Sequence, residues 1–339
     1  MTTTNASYAI PRLSRFARHW MRTNTYRPAL HLSPRALAAR KRGEGHSLAV
    51  VLPALNEAQT IGDICAKVAR DLMIDTSLVD ELVVVDGGST DDTVAVARSA
   101  GATVVQASDI LSEVPHQPGK GDSLWRSLAA TKSDIVVWID ADIKNFSSHF
   151  VTRLVEPLLV DETLDFAKAF YRRPLDVGGV MMPSGGGRVT ELLARPLIAM
   201  MFPELGGFVQ PLSGEYAGRR EVLERIPFCT GYGVEIAMLI DLSGTAGLGS
   251  LCQVDLDERV HRNRPVEELS KMAFSIAQII MRRAEEQGRL SASIDYATHP
   301  LLLPAGEVEP FVDIERPPME LIAPYREALR HTRQAVALA

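Results

Sequence analysis

From Leu48 to Asp142 the chain alternates short apolar runs with stretches of helical spacing, and this alternation restricts its fold more than any other feature. "LAVVLPAL", "ELVVVD" (81–86), "TVVQA" and "DIVVWID" read as strands. Between them, "NEAQTIGDICAKVARDLM" places Ile61, Ile64, Cys65, Val68 and Leu72 on one helical face. "STDDTVAVARSAG" reads as a helix capped by Ser89 or Thr90 and stopped by Gly101, and "KGDSLWRSLAAT" as another. Strands separated by helices build a doubly wound, mainly parallel α/β sheet, which binds its ligands at the carboxyl ends of the strands. Beyond about residue 150 the pattern loosens into a helix (149–160), a strand (164–171), the helical "GVEIAMLIDLSGTAG", a strand with its exit loop "LCQVDLDERVHRNRP", and a long amphipathic helix, "VEELSKMAFSIAQIIMRRAEEQGR".

Charge and cysteine content exclude several classes. Residues 1–42 hold nine Lys or Arg and no acid, so a net charge of -6 leaves the remainder at -15. An acidic body argues against nucleic acid as the main partner. The basic segment reads as a poorly ordered or surface-packed arm, with contact to nucleic acid or anionic lipid, or an Arg-rich targeting peptide, as the alternatives. Three scattered cysteines, Cys65, Cys229 and Cys252, form no disulfide framework or metal spacing and fit a reducing cytoplasm. No apolar run is long enough to span a membrane.

The chemistry-bearing residues cluster at strand ends. In "VVWIDADIKNF", Asp140 and Asp142 lie two apart, so an extended backbone aims both carboxylates one way. Two such carboxylates repel unless a cation lies between them, and a hard divalent metal suits them; a solvated turn is the alternative. "PALNE" (53–57) and "DGGSTDDT" (86–93) end the first two strands, placing Glu57 and Asp86 where a ribose or base edge would lie. The dinucleotide fingerprint and the P-loop are both absent. "PGKGDS" sets Lys120 between glycines before a helix, and "PSGGGRVTE" sets three glycines and Arg188 before another; both suit anions. His261, in "ERVHRNRP", is a candidate third metal ligand, with Arg262, Asn263 and Arg264 as further donors. "CTGYGVE" offers Tyr232 and Glu235.

Taken in order, P-x-L-N-E, D-G-G-S-T-D, G-K-G and D-A-D resemble the motifs of the GT-A (Rossmann-like) glycosyltransferases. "PSGGGRVTELLARPL", "QPLSGEYAGRR", "GYGVE" and "ERVHRNRP" are similar to those of the glucosyl-3-phosphoglycerate synthases, over about residues 45–290. Charge and proline punctuation set off a basic arm at 1–45 and a C-terminal tail and helix at 296–339; between them the resemblance implies a nucleotide-sugar half at 46–145 and an acceptor half at 146–295 of the same domain. It implies UDP-glucose as donor, with Pro53, Ala54, Leu55, Glu57 and Ser89 around the uridine, Asp86 below it, and Lys120 on the diphosphate. Asp140, Asp142 and His261 would hold Mg2+ or Mn2+. Leu212, Tyr232 and Glu235 would surround the glucose, with Asp142, Leu212 and Glu235 in catalytic roles. Gly187, Arg188, Thr190 and Asn263 would hold D-3-phosphoglycerate. It further implies a homodimer, retention at the anomeric carbon by front-face attack, and a product feeding a methylglucose polysaccharide. A mannosyl donor or a lipid phosphate acceptor is the competing expectation.

Overall fold

The computed structural model describes residues 15–27, 32–177, 180–182, 186–260, 265–291, 300–303, 308–309 and 314–329. Helices α1 (Arg15–Thr23) and α2 (Pro34–Gly43) flank the short strand β1 (Thr25–Tyr26). The alternating region gives β2 (Leu48–Ala54), α3 (Ile61–Lys67), β3 (Glu81–Asp86), α4 (Thr93–Ser99), β4 (Thr103–Gln106), α5 (Lys120–Ala130), β5 (Ile135–Trp138) and α6 (His149–Val160). The second half adds β6 (Phe166–Arg172), the hairpin β7 (Leu175–Val177) and β8 (Val180–Met182), α7 (Arg195–Met201), β9 (Tyr216–Arg219), α8 (Arg220–Leu223) and β10 (Phe228–Cys229). It closes with α9 (Val234–Leu242), β11 (Leu251–Glu258) and α10 (Val266–Glu286).

Eight strands form one sheet in the order β1-β11-β6-β9-β5-β2-β3-β4. All neighbours run parallel except β9, which is antiparallel to both β5 and β6. The sheet therefore crosses from the first half into the second without a break. After β2 the chain winds outward through β3 and β4, then returns to β5 on the other side of β2. A crevice at that reversal is where an α/β sheet takes its ligands. Both "PALNE" and "DADIKNF" leave the sheet there.

The continuous apolar runs are explained by burial on both faces. Val51, Val83, Val85, Val136 and Trp138 face one core with α5, α9 and α10. Val50, Leu52, Val84, Ile135, Val137 and Ile139 face the other with α2, α3, α4 and α6.

Two local expectations change. Helix α4 starts at Thr93, behind Asp92, with no side-chain cap; Ser89 and Thr90 bond Asp86 and Asn56 instead. Strand β5 stops at Trp138, so Asp140 and Asp142 lie in the turn that follows it. The described residues of the basic arm are packed on the body. Trp20 is buried against Phe208 and donates to the Leu248 carbonyl, β1 pairs with β11, and Leu37 and Ala38 enter the second core. Among the described residues no helix is long and apolar enough to cross a membrane.

Candidate active site

The ends of β2 and β3 are stitched into one concave edge. The Gly87 amide donates to the Ala54 carbonyl. Asp86, almost fully buried, accepts from the Gly88 amide (3.1 Å), the Ser89 amide (3.0 Å) and the Ser89 hydroxyl (2.5 Å). The Ser89 hydroxyl in turn accepts from the Asn56 amide, and Asn56 adopts a positive φ of 58° to make the bend. Pro53, Ala54, Leu55, Glu57, Asp86 and Ser89 are thus brought to one rim, with Leu55 more than half exposed. Thr60 ties this rim to the aspartate turn by donating to the Ala141 carbonyl.

Lys120 begins α5 and reaches the centre of the crevice. Its Nζ lies 2.5 Å from Asp140 Oδ1 and 2.7 Å from Glu235 Oε1. Its two glycines are there for space. A Cβ on Gly119 would sit 2.2 Å from the Thr230 carbonyl oxygen, and one on Gly121 would sit 1.8 Å from that of Cys229. Only glycine admits the exit of β10 so close to α5. Gly214 plays the same part on the opposite wall, where a Cβ would lie 2.1 Å from Asp140 Oδ2.

The cation shared by Asp140 and Asp142 is Arg259, just beyond β11. Its Nη2 donates to Asp140 Oδ2 (2.8 Å) and Asp142 Oδ1 (2.6 Å). Its Nε lies 3.1 Å from Glu215 Oε1, and its Nη1 donates to the Tyr171 hydroxyl. Burial works against the charges on Lys120 and Asp140, but their mutual attraction outweighs it, so the ammonium titrates well above and the carboxyl well below its ordinary range. For Glu215 burial prevails over Arg259 and raises the carboxyl.

The aspartate pair offers hard oxygen donors of the kind Mg2+ and Mn2+ take. Glu215 Oε1 nearby is buried without a hydrogen bond. Among the described residues no cluster of three ligating side chains exists. The expected third ligand, His261, lies outside the described residues, as does Asn263. The chain leading to them is fixed beside the aspartates, since the Val260 amide donates to Asn145 and its carbonyl accepts from the Lys144 amide.

On the acceptor side, Gly187 has φ +75° and its carbonyl accepts from the Glu191 amide, opening the helical stretch that carries Arg188 and buried Thr190. Tyr232 stands nearly half exposed before α9, and Leu212 lies in the turn ahead of Gly214. Arg259, Tyr171, Glu215 and Lys168 join the site although the sequence motifs assign them no role. Arg259 lies two residues from His261, and the repulsion between Asp140 and Asp142 calls for a cation of this kind.

Lys168 is fully buried on β6. It donates to the Ser213 carbonyl (2.9 Å) and sits 4.6 Å from the centre of the Tyr216 ring. Burial pushes its ammonium down to about 7, with Glu235 opposing. The folded protein therefore sheds this proton before the unfolded chain does. Stability should rise between about pH 7 and the ordinary lysine value, and this contribution should level off below pH 7, where both states hold the proton. Replacing Lys168 with methionine is expected to flatten that rise, and thermal midpoints of both proteins at pH 7 and pH 9 would test it. An equal rise in the variant would refute the assignment.

Comparison with known proteins places these residues in a context. Residues 49–227 match the glycosyl transferase family 2. A glucosyl-3-phosphoglycerate synthase of Petrotoga mobilis is 42% identical over 317 residues, covering 91% of this chain and 98% of that protein. The crystal structure of glucosyl-3-phosphoglycerate synthase from Mycobacterium tuberculosis, with Mn2+, UDP-glucose and phosphoglyceric acid, is similar with a TM-score of 0.78 at 44% identity. It covers 88% of this chain and 98% of that one. The same enzyme has also been solved with glycerol 3-phosphate beside Mn2+ and UDP-glucose. A mannosyl-3-phosphoglycerate synthase from Rubrobacter xylanophilus gives a TM-score of 0.80 at 38% identity, covering 90% and 98%.

Proposed function

Because the chain belongs to glycosyl transferase family 2, among the glucosyl-3-phosphoglycerate synthases, we propose that it transfers glucose from UDP-glucose to the 2-hydroxyl of D-3-phosphoglycerate with retention of configuration. The observation that carries this reading is the meeting of Lys120, Asp140 and Glu235 in the crevice, with Asp142 held to the same cation as Asp140. Uridine fits the rim formed by Pro53, Ala54, Leu55, Glu57 and Ser89, above Asp86. Lys120 holds the diphosphate. Asp140, Asp142 and His261 would hold Mg2+ or Mn2+, which would supply Lewis-acid stabilisation of the departing diphosphate. Gly187, Arg188, Thr190 and Asn263 hold the acceptor.

The remaining groups govern the sugar. Glu235 already gives one oxygen to Lys120, which favours holding glucose hydroxyls and stabilising positive charge over acting as a free nucleophile. Leu212 and Tyr232 close around the ring. Retention then follows from attack on the face the diphosphate leaves, with the leaving phosphate taking the proton. A covalent glucosyl adduct on Glu235 would refute this step. Three buried free thiols support a reducing cytoplasm as its location, and α10 with the tail is material for a homodimer.

A second reading has a specific observation behind it, the mannosyl-transferring relative at 38% identity. UDP release with UDP-glucose, Mg2+ and D-3-phosphoglycerate decides between them, run beside GDP-mannose. Acceptor-dependent release and an α-glucosyl product are expected. Turnover with GDP-mannose alone would replace glucose by mannose in the reaction.

A further inference from the structure

The glycine run of the acceptor turn accommodates an arginine. Arg173 follows β6, and its carbonyl accepts from the Gly186 amide (3.2 Å). A Cβ on Gly186 would lie 2.7 Å from Arg173 Cβ. A Cβ on Gly187 would lie 3.4 Å from both Cδ and Nη1 of the same side chain. The turn that presents Arg188 is thus moulded along the length of Arg173.

The guanidinium is held by a neutral partner. Its Nη2 donates to the Tyr171 hydroxyl (2.9 Å), and the group stacks 5.1 Å from the Tyr171 ring centre. Tyr171 is itself fixed, since its hydroxyl donates to Glu215 Oε2 (2.6 Å) and its ring also lies under Arg259. Arg173 Nε is buried and has no hydrogen-bond partner among the described residues. Among the described residues no carboxylate pairs with the guanidinium. A guanidinium that is fixed by a stacked ring and paired with no described carboxylate is prepared for an anionic partner.

We infer that Arg173 is a specificity-determining residue of the acceptor site, supplying beside Arg188 a second cation for an anionic group of the acceptor. The inference rests on the proposed reaction only in naming that acceptor. The shared chemistry is an oxyanion, carboxylate or phosphate, and a planar guanidinium pairs with either through two donors.

The test measures KM for each substrate in the wild type, Arg173→Gln and Arg173→Lys. Wild-type turnover with D-3-phosphoglycerate reports on the reaction itself, so its failure is distinguishable from failure of this inference. Loss of a hydrogen-bonded charge predicts a rise of about tenfold to hundredfold in KM for D-3-phosphoglycerate in Arg173→Gln. KM for UDP-glucose should stay within about twofold, as expected for sites that do not share the residue. Arg173→Lys keeps the charge and loses the fork, so its KM should fall between the two. Calorimetric binding of D-3-phosphoglycerate to donor-free protein should weaken in the same order. D-glycerate and glycerol 3-phosphate then distinguish the group held: weakening confined to glycerol 3-phosphate assigns the phosphate, and weakening confined to D-glycerate assigns the carboxylate. An unchanged acceptor KM in both variants overturns the inference. So does an equal rise in both KM values, which would mark Arg173 as merely structural.

Discussion

Replacing Arg259 with methionine is expected to lower the thermal midpoint by about 4–7 °C, the shift that a broken buried ion pair of about 3–5 kcal/mol gives in a chain of this length. Arg259 is only 4% exposed and meets Asp140, Asp142, Glu215 and Tyr171 at once. Methionine fills part of the volume and leaves Asp140 and fully buried Glu215 without their shared cation. Transfer should fall by at least about a hundredfold, because the aspartates would move apart under their own repulsion. Lysine should not restore it, since a single ammonium cannot present the fork that reaches the aspartate pair, Glu215 and Tyr171 together. A double-mutant cycle with Glu215→Gln isolates the electrostatic part. Neutralising Glu215 removes one of the stranded charges, so the double variant should be more stable than the two single losses predict by about 0.5–3 kcal/mol. Calorimetry and UDP release check both statements. A midpoint within a degree of the wild type would show that the site tolerates the aspartate pair unaided.

What the sequence made legible, and what it did not, follows the range over which the forces act. Strands β2, β3 and β5 were readable because their centres are buried on both faces and so carry unbroken apolar runs, while β4, at the sheet edge and only partly buried, shows just Val104 and Val105. Helix α10 was readable because its amphipathic spacing marks it over 21 residues. The cap of α4 was misassigned because Ser89 and Thr90 are claimed by Asp86 and Asn56, and Asn56 belongs to a different strand end. Arg259 was out of reach for a related reason, since its aspartates are 117 and 119 residues away in the chain. Lys168 did leave a signal: it lies between Phe166 and Phe170 on one face of a strand, where a charge demands a partner. The N-terminal segment was judged by its charge, while Ala17, Trp20, Leu37 and Ala38, the residues that pack it down, are few and separated.

Gly121→Ala is the substitution for which local propensity and packing disagree most sharply. Gly121 is the second residue of α5, and its φ is not positive. Helix propensity alone predicts that alanine stabilises by about 0.5–1 kcal/mol. Packing predicts the reverse. The new methyl would stand 1.8 Å from the Cys229 carbonyl oxygen and 2.9 Å from its carbon, and these are backbone atoms that cannot rotate aside. The clash also strains the bond from the Gly121 amide to the Thr230 carbonyl (2.9 Å), which joins α5 to the segment before α9. Overpacking of this kind costs about 1–3 kcal/mol and sometimes more, so the sign should be destabilising. The effect on transfer should exceed the effect on stability. Lys120 precedes Gly121, and Glu235 follows the displaced segment, so the 2.7 Å contact between them would open. A shift of about 1 Å at such a contact lowers turnover by roughly a hundredfold. Gly244→Ala, where no atom lies within 4 Å of the added carbon, is the control and should leave both properties near the wild type. If Gly121→Ala gains stability and keeps its turnover, α5 and the exit of β10 are not packed as closely as the structure has them, and the position of Lys120 must be explained in another way.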